Sequence, residues 1–326
     1  MKYVYESAFA PEMNRYLELL SGAGRYIDRI QSSLRGLDRY LVAYGLEQRT
    51  LHAETVSAWV KTKNVSSHTK AKDVSNINGF AKFLVSLGID ASSPEPHKKR
   101  SEYVPYAFSD AEIQRIVSAA DNLEVGQYLT RSSLVFPILL RLLYGCGLRL
   151  GEGRSLRWKD VDFERGILTI REAKNQKQRF VPMSATATEL LTDYRAMTQN
   201  DGICTDYLFE SNHAPGKPFR NKSFYEWFQK ALRIAGIHYA RQSTWERGPC
   251  PHCLRHCFTL KSFLKSESEG RRFEDTAPFL AAYLGHDGPK ELETYLSTNH
   301  SVYTQSHKRM DAAIGHVFPE VDFNED

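Results

Sequence analysis

The sequence has few cysteines, five in 326 residues, and their number is odd. Three of them crowd into Cys250, Cys253 and Cys257, which is not the spacing of a disulfide framework. Long apolar runs are missing as well. The greasiest stretch, Leu134 to Leu148, is interrupted by Pro137 and Arg141 and falls short of the roughly 20 apolar residues that a membrane span needs. The opening residues, MKYVYESAFAPEMN, lack the basic-then-apolar pattern of a signal peptide, so secretion is not expected and the expected location is the cytoplasm. An excess of charge of one sign is absent too: 43 Lys and Arg against 39 Asp and Glu leave a net charge of +4. No repeat or low-complexity segment stands out.

What the chain does have is length for two domains, taking roughly 100–200 residues per domain, and ordinary apolar, aromatic and charged fractions for packed cores. Its charge is unevenly spread. The first hundred residues carry 15 basic side chains against 10 acidic ones, and the remainder 28 against 29. A basic first third suits a polyanionic partner, and it equally suits a solvated face.

Helical spacing dominates the first hundred residues, through Tyr26, Ile30, Leu34, Leu37 and Leu41, then Thr55 to Val60, then Val74, Ile77, Phe80, Phe83, Leu84 and Leu87. Gly88 suits a helix C-terminus. The Pro- and charge-rich stretch Ser92 to Arg100 reads as a linker. Domain boundaries follow: a helical domain over 1–97, a linker over 98–105 and a second domain over 106–326. In the second, Ser109 with Glu112 forms a capping box ahead of Ile113, Ile116 and Val117. An apolar helix follows from about Ser132 to Tyr144. Ile167–Ile170 and Arg179–Pro182 read as strands joined through the polar stretch Glu172 to Gln178, giving a small hairpin or three-stranded sheet. After Ser184 the pattern returns to helices. The fold class expected is mainly α with a small antiparallel β-sheet.

Four patches of the second domain carry chemistry-bearing residues. Gly145 to Glu152 places Arg149 beside a greasy helix with Glu152 three residues on, an arrangement that a buried Arg–Glu staple also explains. Lys174 falls in the hairpin turn, where a lysine ordinarily faces solvent. In Cys250-Pro251-His252-Cys253-Leu254-Arg255-His256, Pro251 suits the first turn of a helix, and i, i+3 spacing puts His252 and Arg255 on one face. A histidine and an arginine near a helix N-terminus make a phosphate cradle. The fourth patch is Leu284-Gly285-His286, followed nine residues later by Tyr295.

Taken together, these residues resemble the tyrosine recombinase (phage integrase) family. The resemblance lies in Arg149 with Glu152 in a Gly-Leu-Arg-x-x-Glu stretch, in Lys174 before the Lys177-to-Pro182 run, in His252, Arg255 and His256 as His-x-x-Arg-His, and in Leu-Gly-His with His286 and then Tyr295. It covers about residues 106–315, and the helical first third looks like the family's core-binding (SAM-like) domain. It implies a mixed α/β catalytic domain and a site-specific DNA recombinase that cuts and rejoins strands through a 3′-phosphotyrosyl link at Tyr295.

That chemistry calls for these residue types. Arginines neutralise charge that builds on the non-bridging phosphate oxygens, because the planar guanidinium forks onto phosphate and stays charged. The resemblance assigns this clamp to Arg149 and Arg255. Tyr295 would be the nucleophile, His252 the base that takes its proton, His286 a hydrogen-bond partner of the phosphate or nucleophile, and Lys174 the acid that protonates the 5′-oxygen. Glu152 and His256 would support them. Because the tyrosyl bond stores the energy of the broken phosphodiester, no cofactor is expected, neither ATP nor metal. A zinc reading of Cys250, His252, Cys253, His256 and Cys257 lacks a second Cys/His pair at suitable spacing.

Some features depart from the family or compete with it. The stretch between Arg255 and His286, with its charged run Lys265 to Arg272, is longer than is common and reads as a surface insertion. Tyr303 sits one helical segment too late for the nucleophile, and Tyr283 precedes the histidine. A type IB topoisomerase would share the chemistry, but the compact helical first domain argues against it. A non-catalytic DNA-binding protein is opposed by the presence of all six polar residues.

The resemblance further implies double-stranded DNA as partner, held in a C-shaped clamp, and four protomers on DNA. Arg35, Arg39, Lys61, Lys63, Lys70 and Lys72 are the phosphate-contact candidates. The apolar end around Ala312, Ile314 and Val317 is a docking segment for a neighbouring protomer. Other recombinases and accessory DNA-bending proteins are further possible partners. With little room for an arm-binding domain, the pattern resembles the transposon-associated branch of mobile-element recombinases.

Overall fold

The computed structural model describes residues 3–45, 49–95, 105–123, 130–171, 178–199, 206–211, 214–240, 248–286, 288 and 292. Contacts divide the chain into two units, Met1–Glu102 and Tyr103–Asp326.

Four helices make the first unit: α1 (Ala10–Gly22), α2 (Asp28–Ala43), α3 (Ala53–Thr62) and α4 (Ser67–Ser86). Helix α1 buries Met13, Tyr16, Leu17 and Leu20, the i, i+3, i+4, i+7 stripe of an amphipathic helix. These pack with Leu34, Leu37 and Leu41 of α2, Val56 and Trp59 of α3, and Ile77, Phe80 and Leu84 of α4. Tyr26, where the helical spacing of the sequence begins, is instead exposed in the α1–α2 connection. Buried polar groups lock the helices in place. Asp38 accepts from the Ser7 backbone N–H (2.9 Å) and the Tyr3 hydroxyl (2.9 Å), so it fixes the segment that leads into α1. Asp73 accepts from Ser33 (2.7 Å) and pairs with Lys63. Gly88 follows α4 at φ 78°, a left-handed conformation that a glycine takes without strain.

The second unit begins with α5 (Asp110–Asp121), closed by the expected box: Ser109 Oγ accepts from the Glu112 N–H (3.2 Å), and Glu112 Oε2 accepts from the Ser109 N–H (2.8 Å). Helix α6 (Thr130–Gly145) threads the core, with Val135, Phe136, Leu139, Leu140, Leu142 and Leu143 buried. The charge that breaks its apolar run, Arg141, reaches the surface and forks onto Asp121 through two 2.7 Å bonds. Then come α7 (Leu150–Ser155), a 3-10 turn (Trp158–Asp160), and an antiparallel sheet in the order β1 (Val161–Asp162), β2 (Ile167–Ile170), β3 (Arg179–Pro182). Ile167 pairs with Pro182 and Ile170 with Arg179. Both strands lie where their alternation put them. Helix α8 (Ala185–Gln199) precedes a second, two-stranded ladder, β4 (Glu210–Ser211) with β5 (Ala214–Pro218), in a stretch where the sequence pattern predicts helices. Helices α9 (Asn221–Ile234), α10 (Pro251–Ser268) and α11 (Phe273–Leu284) complete the unit. Helix α10 packs on α6 and α11, and α11 touches β3. The architecture is mainly α with small antiparallel sheets. Among the described residues no helix is long and apolar enough to cross a membrane.

Candidate active site

The corner after α6 turns on Gly147, at φ 61°. A Cβ there would meet the Phe258 ring at 2.5 Å, so the chain can pass only as glycine. The turn aims the Gly147 carbonyl at Arg255 Nη1, 2.7 Å away. Arg149 follows as the N-cap of α7. Its backbone N–H donates to Glu152 Oε2 (2.9 Å) and its Nη1 to Glu152 Oε1 (2.8 Å). The Arg–Glu staple is therefore present, but it is only part of the arrangement.

Glu152 is shared with two further elements. Arg179, at the start of β3, donates Nη1 and Nη2 to the two carboxylate oxygens at 3.0 and 2.8 Å. Arg255, on α10, lies 3.7 Å from the same carboxylate. Burial alone would raise the Glu152 carboxyl, but the hydrogen bonds and charge of Arg179 and Arg149 outweigh it and hold the group below the usual carboxylate range.

The same three guanidinium groups cap α11. That helix ends in a left-handed Gly285 (φ 67°), with the His286 N–H donating to the Ala281 carbonyl (2.9 Å) and the Gly285 N–H to that of Ala282 (3.1 Å), the Schellman pattern. The next carbonyls need other donors. Tyr283 O accepts from Arg179 Nε (2.8 Å), Leu284 O from Arg255 Nη2 (2.5 Å) and Arg149 Nη1 (3.4 Å), and Gly285 O from Arg149 Nη2 (3.3 Å). Three cations thus converge on one carboxylate and the negative end of a helix dipole. The cluster keeps an excess of positive charge in a largely dry setting, which is the electrostatic form of an anion site.

His286 sits at its edge, with Nε2 3.1 Å from Arg255 Nη2. Arginine has no acceptor, so Nε2 accepts and the ring proton sits on Nδ1. Burial and the neighbouring Arg255, Arg149 and Arg179 lower His286 to about 4. On α10, Pro251 opens the helix as expected. His252 is exposed in that first turn, Arg255 is 1% exposed, and the His252 and His256 rings meet edge to face, 4.7 Å between centroids. Burial, then the charges of His252, Arg255 and His286, lower His256 to about 3.

The structure therefore brings Arg149, Glu152, Arg255 and His286 together, with His252 and His256 on the same helix as Arg255. Lys174 and Tyr295 lie outside the described residues, as do Tyr303, Ala312, Ile314 and Val317. Tyr283 is a packing residue: its hydroxyl donates to the Cys146 carbonyl (3.1 Å) and its ring stacks on Phe258. The Lys265-to-Arg272 run forms the end of α10 and the turn into α11, mostly exposed, with Gly270 at φ 82°.

Of the basic residues in the first unit, Lys61, Lys72 and Arg39 are exposed and Arg35 and Lys70 half-buried. Arg35 and Arg39 both lie over the Tyr3 ring. Lys63 is committed inward, paired with Asp73 and over Trp59. The sequence pattern assigns Arg179 no role beyond opening a strand. The signal was there, since it stands two residues before buried Val181 and so shares that strand face.

Residues 107–301 match the phage integrase family, well over half of the chain. The chain belongs to that family. Its curated relatives among the tyrosine recombinases and integrases include the "Putative integrase/recombinase y4rB" of Sinorhizobium fredii, 29% identical over 318 residues, which are 94% of this chain and 98% of that protein. Tyrosine recombinase XerC of Pediococcus pentosaceus is 25% identical over 247 residues, covering 73% of this chain and 74% of its own length. Among solved structures, the post-cleavage complex of the XerH site-specific recombinase with palindromic difH superposes with TM-score 0.63 at 17% identity, over 82% of this chain and 75% of that one. The Tn1549 transposon integrase with transposon right-end DNA gives TM-score 0.61 at 16% identity, over 92% and 99%. At such identities these likenesses establish the fold, and the family match carries the identification.

Proposed function

We propose that this phage integrase family member is a site-specific DNA recombinase that cleaves and rejoins strands through a 3′-phosphotyrosyl intermediate at Tyr295, serving the integration, excision or transposition of a mobile element. The observation that carries the reading is the cluster of Arg149, Arg179 and Arg255 around Glu152 with His286 at its edge.

In this reading the scissile phosphate docks against Arg149, Arg255 and His286, whose charges and hydrogen bonds favour the transition state, in which charge develops on the non-bridging oxygens. Tyr295 attacks phosphorus, His252 takes the phenolic proton, and Lys174 delivers a proton to the departing 5′-oxygen. Glu152 and His256 hold the site in place. One phosphoester bond forms as another breaks, so the reverse attack by a 5′-hydroxyl rejoins DNA with no nucleotide or metal consumed. The helical unit contributes phosphate contacts through Arg35, Arg39, Lys61, Lys70 and Lys72. Lys63, held by Asp73, takes a structural part instead. Four protomers act on two duplexes.

The test is recombination between two copies of a candidate site, taken from DNA flanking the gene, on one plasmid. Wild type gives deletion or inversion products, and Arg149→Ala and Arg255→Ala give none. Site-bound protein that yields no product at any site it recognises would overturn the reading in favour of a non-catalytic DNA-binding protein.

A further inference from the structure

Helix α10 opens with a pair of thiols that the recombination chemistry does not use. Cys250 is its N-cap and Cys253 stands three residues on, with the sulfurs 3.6 Å apart and the Cys253 N–H bonded to the Cys250 carbonyl (2.9 Å). N-cap and third helical residue are the two positions whose side chains reach each other's backbone in a capping box, and here their sulfurs are already neighbours. Closing the sulfurs to the roughly 2 Å of a disulfide therefore needs no unwinding of the helix, only side-chain rotation and a small shift of the first turn.

The two thiols are also unlike each other. Cys253 is buried, whereas Cys250 alone among the described cysteines is not. Helix N-terminal amides favour the thiolate form of a cysteine placed there. The contact with Cys250, then burial, push the Cys253 thiol up, so Cys253 keeps its proton until Cys250 has reacted. Cys146 and Cys257 are buried and pushed up to about 11, and Cys257 is held against the Phe108 backbone.

We propose that Cys250 and Cys253 are a reversible disulfide site that responds to low-molecular-weight disulfides, and that its closure restrains the intervening His252. The Cys250 thiolate attacks the small disulfide, releasing one thiolate and leaving a mixed disulfide. Cys253 then displaces the second small thiol and closes the internal bond, its proton leaving with the thiols released. Two protein thiols are oxidised and one small disulfide is reduced to two thiols. Because the bond brackets His252, and displacements of about 1 Å at a reacting group cost on the order of 100-fold in rate, closure slows strand cleavage. That second consequence rests on the recombinase reading, whereas the first does not.

The experiment equilibrates the full chain in glutathione mixtures, quenches with acid, alkylates and digests with trypsin. The fragment Gly248–Arg255 contains both cysteines and no other. In oxidised mixtures it should appear unalkylated and two hydrogens lighter, and revert with dithiothreitol. Cys250→Ser, which keeps a good N-cap, should form no internal bond. Finding both thiols alkylatable in every mixture, or a glutathione adduct on Cys250 that never closes, overturns the site. In parallel, oxidised wild type should cleave nicked DNA at least several-fold more slowly and recover on reduction, while Cys250→Ser is indifferent to both. A bond that forms without changing the cleavage rate overturns the coupling to His252 and leaves the recombinase reading untouched.

Discussion

Arg179 grips both oxygens of Glu152, at 3.0 and 2.8 Å, from the first position of β3. Its Nε holds the Tyr283 carbonyl at 2.8 Å. One side chain thus ties the sheet, the Gly-Leu-Arg corner and the end of α11 to a common centre. The Gly-Leu-Arg corner, β3 and the end of α11 are thereby fixed relative to one another, which is the preorganisation that electrostatic stabilisation needs.

Removing Arg179 should therefore injure both stability and chemistry. Breaking a buried ion pair from one side costs about 3–5 kcal/mol, so Arg179→Ala is expected to unfold at clearly lower denaturant. Arg179→Lys cannot reproduce the fork onto Glu152, so it should retain more stability yet still cleave nicked substrate poorly. Urea unfolding beside single-turnover cleavage checks both.

Gly285 lies under the same side chain. Its φ of 67° disfavours any other residue, and a Cβ would come within 3.1 Å of Arg179 Nη1. Gly285→Ala should cost about 1–2 kcal/mol for the left-handed backbone alone. It should also slow cleavage, because Arg179 and His286 must shift. A thermal melt and a cleavage rate equal to those of wild type would contradict this.

The histidines give the unit a defined acid response. His286 and His256 are lowered to about 4 and about 3 in the folded chain, from the ordinary 6.5. Between 6.5 and these values the unfolded chain binds protons that the folded chain does not. Their contribution is therefore fully present above pH 6.5 and declines as the pH falls towards 4 and 3. Glu152, held below its ordinary 4.5, adds a loss that begins below that value, as its carboxylate is protonated. Chemical denaturation from pH 8 to 4 should show stability falling below 6.5, with a shallower fall in His256→Gln.

Much of this was legible in the sequence, for reasons that differ by element. The strands Ile167–Ile170 and Arg179–Pro182 and the Ser109–Glu112 box are local patterns, written in alternation and spacing, and they stand where expected. The ladder of Glu210–Ser211 with Ala214–Pro218 was not legible, because two residues on one side and Pro-Gly on the other leave no alternation to read. Arg149, Arg255 and His286 were found by their motifs. That three arginines share Glu152 and also cap α11 was invisible, since most of these links join residues 27 to 136 positions apart.

The C-terminal segment carries its own expectation. If residues around Ala312, Ile314 and Val317 dock onto a neighbouring protomer, ending the chain after Arg309 should spare binding to a single site while weakening assembly on two. Gel-shift titration and synapsis assays separate these, and unchanged recombination would contradict the docking role.

The central claim turns on Tyr295. Wild-type protein incubated with a nicked duplex carrying its site, without metal or ATP, should give a protein–DNA adduct that survives denaturant. Mass spectrometry should place the nucleotide on the peptide containing Tyr295, and Tyr295→Phe should give no adduct. An adduct that persists in the variant, or one mapped to Tyr303 or another residue, would contradict the account.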